Sequence, residues 1–222
     1  MSDLQAEPLS PIDAATLWPQ LHLLNTEVIA LRSDANLLMR AGVSATGLTR
    51  LLKVARTTVL GVRHRMGYRG VIVARELAGQ ASWEISSLRI SRETDDEAVS
   101  ALVDAASIEI ARRGGHGAFL RLPEGSPHYT ATTQAGFAAY TSEQLYARPP
   151  SAPPTSIGSS FREVAASDHT AVFQLYCRSV PESVRRQEAV TQQQWRAIHD
   201  IYSPDQEFVV EKESNLFHRW LP

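Results

Sequence analysis

The 222 residues are 43% hydrophobic and 21% charged with a formal net charge of −2, the balance of a globular chain and not of a polybasic nucleic-acid binder or a disordered acidic tail. One cysteine, Cys177, excludes an intramolecular disulfide and a cysteine-rich zinc site. No apolar run reaches the roughly 20 residues that span a bilayer, and the acidic start "MSDLQAEPLSPIDAA" is no export signal, so a soluble, cytoplasmic protein without a membrane partner is expected.

In chain order, "ATLWPQLHLLN" predicts a short apolar helix, and "SDANLLMRAGVSATGLTRLLKVA" a helix in two pieces broken near Gly42 and Gly47. "TTVLGVRHR", "RGVIVARELAG" and "ASWEISSLRIS" follow as three strands. Val59, Val62, Val71, Val73, Trp83, Ile85, Leu88 and Ile90 give the apolar texture of half-buried strands, with turns at "GYRG" and "LAGQA". An antiparallel meander is expected.

The next helix is the best-defined element. Thr94 with Glu97 three residues on forms a capping box. Val99, Leu102, Val103, Ala106 and Ile110 recur at helical spacing. Arg112 and Arg113 suit the negative end of the helix dipole, and Gly114 or Gly115 supplies the left-handed stop. "GAFLRLP" then reads as a short buried strand, "SPHYTATTQAGF" as a short helix ending at Gly136, and "FAAYTSEQLYAR" as a long final strand.

Residues 148–160, "RPPSAPPTSIGSS", hold four prolines with serines and a glycine and predict a semi-extended linker. It separates a first domain, residues 1–147, from residues 161–222. That second piece opens with the strand "SFREVA". Ser167-Asp168 is placed to cap the helix "HTAVFQLYCRSV", Pro181 opens a second helix, and "EFVVEKES" and "LFHRWLP" read as strands. Such a set closes little core alone, so it is expected to be the opening part of a second domain. Trp195 and Trp220 are candidate anchors to the first domain or to a partner.

Between Ala35 and Arg75 lie eight basic residues and no acid. The interleaved aliphatic residues favour a solvated helix face over a nucleic-acid surface. His64, His116 and His128 lack metal-ligand spacing, and Cys177 in an apolar helix reads as a small hydrophobe.

The order of elements over residues 57–148 resembles the acetyl-CoA-dependent N-acetyltransferases of the GNAT superfamily. The resemblance is carried by "ARRGGHGAFLRLPEGSPHYTATTQAGFAAYTSEQLYAR": a helix ending in Gly114 or Gly115, a strand with Leu120 and Leu122, and Gly136-Phe137 closing a short helix before Tyr140. The second piece resembles the opening of another such domain. The resemblance implies a mixed, largely antiparallel sheet flanked by helices, plus a partial second unit of the same kind. It implies acetyl-CoA as cofactor, touched by Leu88, Arg89, Ile90, Arg92, Glu93 and Thr94, with strand amides near Leu88 to Ile90 holding the thioester carbonyl. Glu84 stands about where the superfamily places a carboxylate that takes the amine proton. The position of the usual acidic tyrosine is Thr132, with Tyr129 and Tyr140 as substitutes.

The cofactor loop departs from the pattern. After Arg92 comes "ETDDE", without a glycine and with three acids at the positive helix end where the superfamily exposes bare N–H groups to a diphosphate. Two readings stand: acetyl transfer from acetyl-CoA to a small-molecule or peptide amine, or a non-catalytic binding or sensing module that no longer binds CoA. A homodimer is expected of either.

Overall fold

The computed structural model describes residues 4–17, 20, 23–26, 57–64, 67–77, 81–91, 95–144, 161–189, 191–196, 207–212 and 215–220. The helical pieces expected between Ser33 and Ala55, the proline-rich linker, and Arg92, Glu93 and Thr94 lie outside these residues. The chain divides into two compact units, residues 1–138 and 139–222.

In the first unit, strand β1 (Ala6–Pro8) leads to helix α1 (Pro11–Leu17). Ser10 and Asp13 cap α1 reciprocally: the Ser10 amide and hydroxyl donate to the Asp13 carboxylate at 2.8 and 2.6 Å, and the Asp13 amide donates to the Ser10 hydroxyl at 3.3 Å. The helix therefore starts earlier than "ATLW" suggests. After the two-residue β2 (Asn25–Thr26) come β3 (Thr57–His64), β4 (Gly67–Glu76) and β5 (Ser82–Ile90). They form the expected antiparallel meander, with Val59 facing Val73 and Ile72 facing Leu88. "GYRG" is not a turn. Gly67 and Tyr68 pair with His64 and Arg63, so the reversal falls one step earlier.

Helix α2 (Asp96–Arg112), strand β6 (Gly117–Phe119) and helix α3 (Tyr129–Gln134) complete the unit. The sheet runs β1-β3-β4-β5-β2, with β6 also on β5. All its pairings are antiparallel except β5 with β6. It is the mixed, largely antiparallel sheet expected.

The sheet buries a different cluster on each face. Under α2, Val99, Leu102, Val103, Ala106 and Ile110 meet Leu60, Ile72, Ile85, Leu88 and Ile90. On the other face Leu9, Leu17, Leu24, Val59, Tyr68, Val71 and Val73 form a second cluster. Gly114 at φ 80° stops α2 in the left-handed region. Gly115 is required for another reason. A Cβ there would lie 2.4 Å from Ile110 Cγ2 and 2.7 Å from Trp83 Cδ1. Of the strand expected from Phe137, the described part, residues 137–144, is irregular and has no pairing partner among the described residues.

The second unit contains β7 (Phe161–Glu163), helices α4 (His169–Ser179) and α5 (Glu182–Glu188), and the hairpin β8 (Glu207–Lys212) and β9 (Asn215–Trp220). Its sheet order is β7-β8-β9, all antiparallel. This repeats the pairing of β1 with the β3–β4 hairpin in the first unit. Trp195 packs within its own unit, with ring centroids 5.8 Å from Phe173 and 6.2 Å from Tyr176. Cys177 is half-buried and free.

Asp168 precedes α4 but does not cap it. Its carboxylate turns back to accept from the Ala165 amide at 2.8 Å and from both Arg162 terminal nitrogens at 2.5 and 2.9 Å. Those Arg162 bonds, then the amide, lower its pKa to about 2. A carboxylate depressed in the folded state stabilises above its unfolded pKa, and that stability disappears as pH falls through the folded value. Asp168→Asn is therefore expected to cost on the order of 1–2 kcal/mol at pH 7, discounted for the half-exposed Arg162. The gap between variant and parent should close between about pH 4 and pH 2. Urea unfolding followed by tryptophan fluorescence across that range measures it; a gap independent of pH would remove the ion pair as its cause.

Candidate active site

Strand β5 is paired with β4 along one side. Its other side is shared between two short partners. Ser82–Glu84 run parallel to Gly117–Phe119 of β6, and Arg89 and Ile90 lie beside Thr26 and Asn25 of β2. Between these, residues 85–88 have no strand on that side among the described residues. A bulge falls in the same place: Val73 faces Ser87 while Ala74 faces Ile85, leaving Ser86 as one extra residue on β5. Bulges disrupt the ladder locally and bend the strand. The result is a short stretch where β5 and β6 part, at which no described strand takes up the main-chain donors and acceptors on that side, although Ile85, Ser87 and Leu88 are themselves buried.

Glu84 stands at the last paired position before the edge opens. Its two oxygens accept from Arg121 Nη1 at 2.7 Å and Arg75 Nη2 at 3.2 Å. Leu88 and Ile90 point into the core under α2, and Arg89 points to the opposite face. Of the amides expected to hold a thioester, those at Arg89 and Ile90 thus lie alongside β2. Tyr129 opens α3 and is 55% exposed, and its carbonyl accepts from the Thr132 and Thr133 hydroxyls. Tyr140 belongs to the second unit, where its hydroxyl donates to Glu188 at 3.0 Å.

The first turn of α2 is occupied by the chain itself. The N-cap is Asp95, not Thr94: its carboxylate accepts the Ala98 amide at 3.2 Å. Arg69 from β4 binds the same carboxylate through Nε at 2.8 Å and through Nη2, and reaches Glu97 at 3.1 Å. The hydrogen bond to Asp95 holds the Arg69 pKa above its ordinary value. Asp96, next in the turn, meets Nδ1 of the fully buried His128 at 3.1 Å. Sequence reading treats His128 as isolated; its partner is 32 residues away and carries no local signal.

The described arginines of the acid-free basic stretch are paired. Arg63 binds Asp13, Arg69 binds Asp95 and Glu97, and Arg75 binds Glu84. These three therefore form no free cationic surface. Among the described residues no group of three or more His, Cys, Asp or Glu could hold a metal ion, and no helix is long and apolar enough to cross a membrane.

Tested against acetyl-CoA, the residues fit one part of the cofactor and not another. The open edge of β5 suits the narrow, amide-bearing pantetheine arm. At the α2 N-terminus Asp95 takes a first-turn donor and stands with Asp96 and Glu97, carboxylates that would repel a diphosphate brought to that helix end.

No family model matches the chain, and no curated protein matches it. Solved structures of similar backbone path exist. An aminoglycoside acetyltransferase from an uncultured soil metagenomic sample is 19% identical, over 68% of this chain and 100% of its own, with a TM-score of 0.49. A ribosomal-protein-alanine N-acetyltransferase from Brucella melitensis biovar Abortus is 18% identical over 66% of this chain and 99% of its own, with a TM-score of 0.45. The PaiA N-acetyltransferase of Thermoplasma acidophilum, solved with coenzyme A, is 19% identical over 52% of this chain and 76% of its own, with a TM-score of 0.39.

Proposed function

We propose that the first unit is an acyltransferase of the GNAT kind, moving acetyl from acetyl-CoA to an amine. One observation carries the reading: β5 and β6 part after three paired residues, beside a bulge, and residues 85–88 have no partner strand on that edge among the described residues. An extended arm can pair there as a surrogate strand. Bound so, the cofactor would supply a thioester carbonyl carbon for attack. The chain's own part is positioning, which by itself accounts for much of many acyl transfers. Both Glu84 oxygens are engaged by arginines, so Glu84 orients the mouth of the slot and the amine arrives neutral. The repeated pairing order in residues 161–222 supports a tandem ancestry.

The second reading, a binding module without CoA, is favoured by the Asp95–Arg69 contact at the α2 N-terminus. Calorimetric titration separates them. The acyltransferase reading expects acetyl-CoA to bind with a dissociation constant on the order of 0.1–1 mM, about −4 to −5.5 kcal/mol. S-acetylpantetheine, which lacks the diphosphate, should bind within about threefold of it, since the arm supplies the contacts. No heat from either up to several millimolar would give the chain to the second reading.

A further inference from the structure

Four arginines lie on β3, β4 and β5. Arg63, Arg69 and Arg75 each hold a carboxylate. Arg89 does not. It is 8% exposed, and among the described residues its buried Nε has no hydrogen-bond partner and its guanidinium makes no ion pair. Strand alternation sets its direction. Leu88 and Ile90 belong to the cluster under α2, while Arg89 faces Val71 across the ladder and so shares the face of Leu24, Tyr68, Val71 and Val73. Desolvation there lowers its pKa. Ser87, also buried, lies two residues before it on the same face, opposite Val73. Ser87 lies within, and Arg89 next to, the stretch 85–88 that has no partner strand on one side among the described residues.

Buried guanidinium groups are retained where something pairs with them, since an unpaired buried charge is strongly disfavoured. The planar fork of N–H donors matches a carboxylate or a phosphate two bonds at a time. We infer that Arg89, with Ser87 beside it, is an oxyanion-binding point on the second face of the sheet, taking a carboxylate or phosphate carried by a small molecule. Joined to the acyl-transfer reading, on which this part rests, the oxyanion belongs to the acceptor. The substrate is then an amine bearing its own negative group, and a polycationic amine would be repelled from the slot.

The test has two arms. In the first, sodium acetate and sodium phosphate are titrated separately into the full chain without acetyl-CoA, against sodium chloride at equal ionic strength, and backbone amide resonances are followed. Saturable shifts centred on residues 87–91, absent in chloride and lost in Arg89→Met, are expected, and the tighter of the two anions tells carboxylate from phosphate. Their absence from the parent protein overturns the site, and this result needs no variant to fold. Equal shifts in Arg89→Met would overturn it as well. In the second arm, glycine is compared with ethylamine, and phosphoethanolamine with propylamine, as acetyl acceptors. A preference of roughly 10–100-fold in kcat/KM for the anionic amine is expected, reduced in Arg89→Met. Amines without an anionic group that react equally well, in a chain that does acetylate, overturn the acceptor assignment alone. Anion shifts at Arg89 in a chain that binds no acetyl-CoA keep the site and remove the acyl-transfer reading.

Discussion

Trp83→Ala is expected to destabilise the first unit by about 3–5 kcal/mol, the usual cost of deleting a buried aromatic. Trp83 is 2% exposed on β5, between Glu76 of β4 and Ala118 of β6. Its ring closes the end of the core against Gly115 and Ile110, and the Arg113 guanidinium lies 5.7 Å from the ring centroid. Ordinary domains hold only about 5–15 kcal/mol in total, so much of the unit's stability depends on this ring. Urea unfolding followed by circular dichroism measures the loss. Ile108→Ala serves as control, because Ile108 is exposed and should cost less than about 0.5 kcal/mol. A double-mutant cycle sharpens the argument. Gly115→Ala alone drives a methyl into the ring and into Ile110, whereas in the Trp83→Ala background part of that clash is gone, so the two changes should be far from additive. A loss below about 1 kcal/mol for Trp83→Ala would mean that the sheet and α2 do not close on this ring.

The residues that decide this core were readable in the sequence, because they follow local periods. Helix α2 shows its face as Val99, Leu102, Val103, Ala106 and Ile110, all buried, and its end as Gly114. The meander shows itself as apolar alternation. What failed to be legible depends on partners distant in the chain. Thr94 and Asp95 are both good N-caps by type, and Arg69, 26 residues upstream, holds Asp95. "AEP" reads as nothing in particular, yet it forms the edge strand β1, where a terminal proline is tolerated. "FAAYTSEQ" has strand texture, but strand propensity is mostly the fit to neighbours, and residues 137–144 pair with none among the described residues.

The candidate site was legible only in its electrostatics. Three acids at a helix start can be counted from the sequence, and they do sit in the first turn of α2. The open edge cannot be counted, because it arises from where a parallel strand leaves and where a bulge falls. Arg89 illustrates the same limit. In "SLRIS" it takes the polar place in an alternation, and the resemblance makes it a cofactor contact; nothing local announces its burial. Its burial comes from the second apolar cluster, which draws on Leu9, Leu17 and Leu24 from the chain's beginning.

Asp95→Asn separates the two roles that meet at the start of α2. Asparagine caps a helix about as well as aspartate, so the bond to the Ala98 amide survives in kind. The charge is lost, and Arg69 keeps only Glu97, 3.1 Å away and half-exposed. Breaking a largely buried pair from one side costs more than the pair contributes net; with the cap retained, a loss of about 1–3 kcal/mol in unfolding free energy is expected. Acetyl-CoA binding should move the other way. Removing one carboxylate from the diphosphate's approach, and releasing Arg69 toward it, is worth about 1 kcal/mol near water, or roughly a fivefold tighter dissociation constant. The gain should shrink as salt rises from about 0.01 to 0.15 M, because the Debye length contracts from about 30 to 8 Å. S-acetylpantetheine should gain nothing, since it has no diphosphate to place. Parallel titrations of parent and variant with both compounds give the answer. A gain for both compounds, or for neither, would mean that no phosphate comes to this helix end, and that whatever the open edge of β5 accepts is held without it.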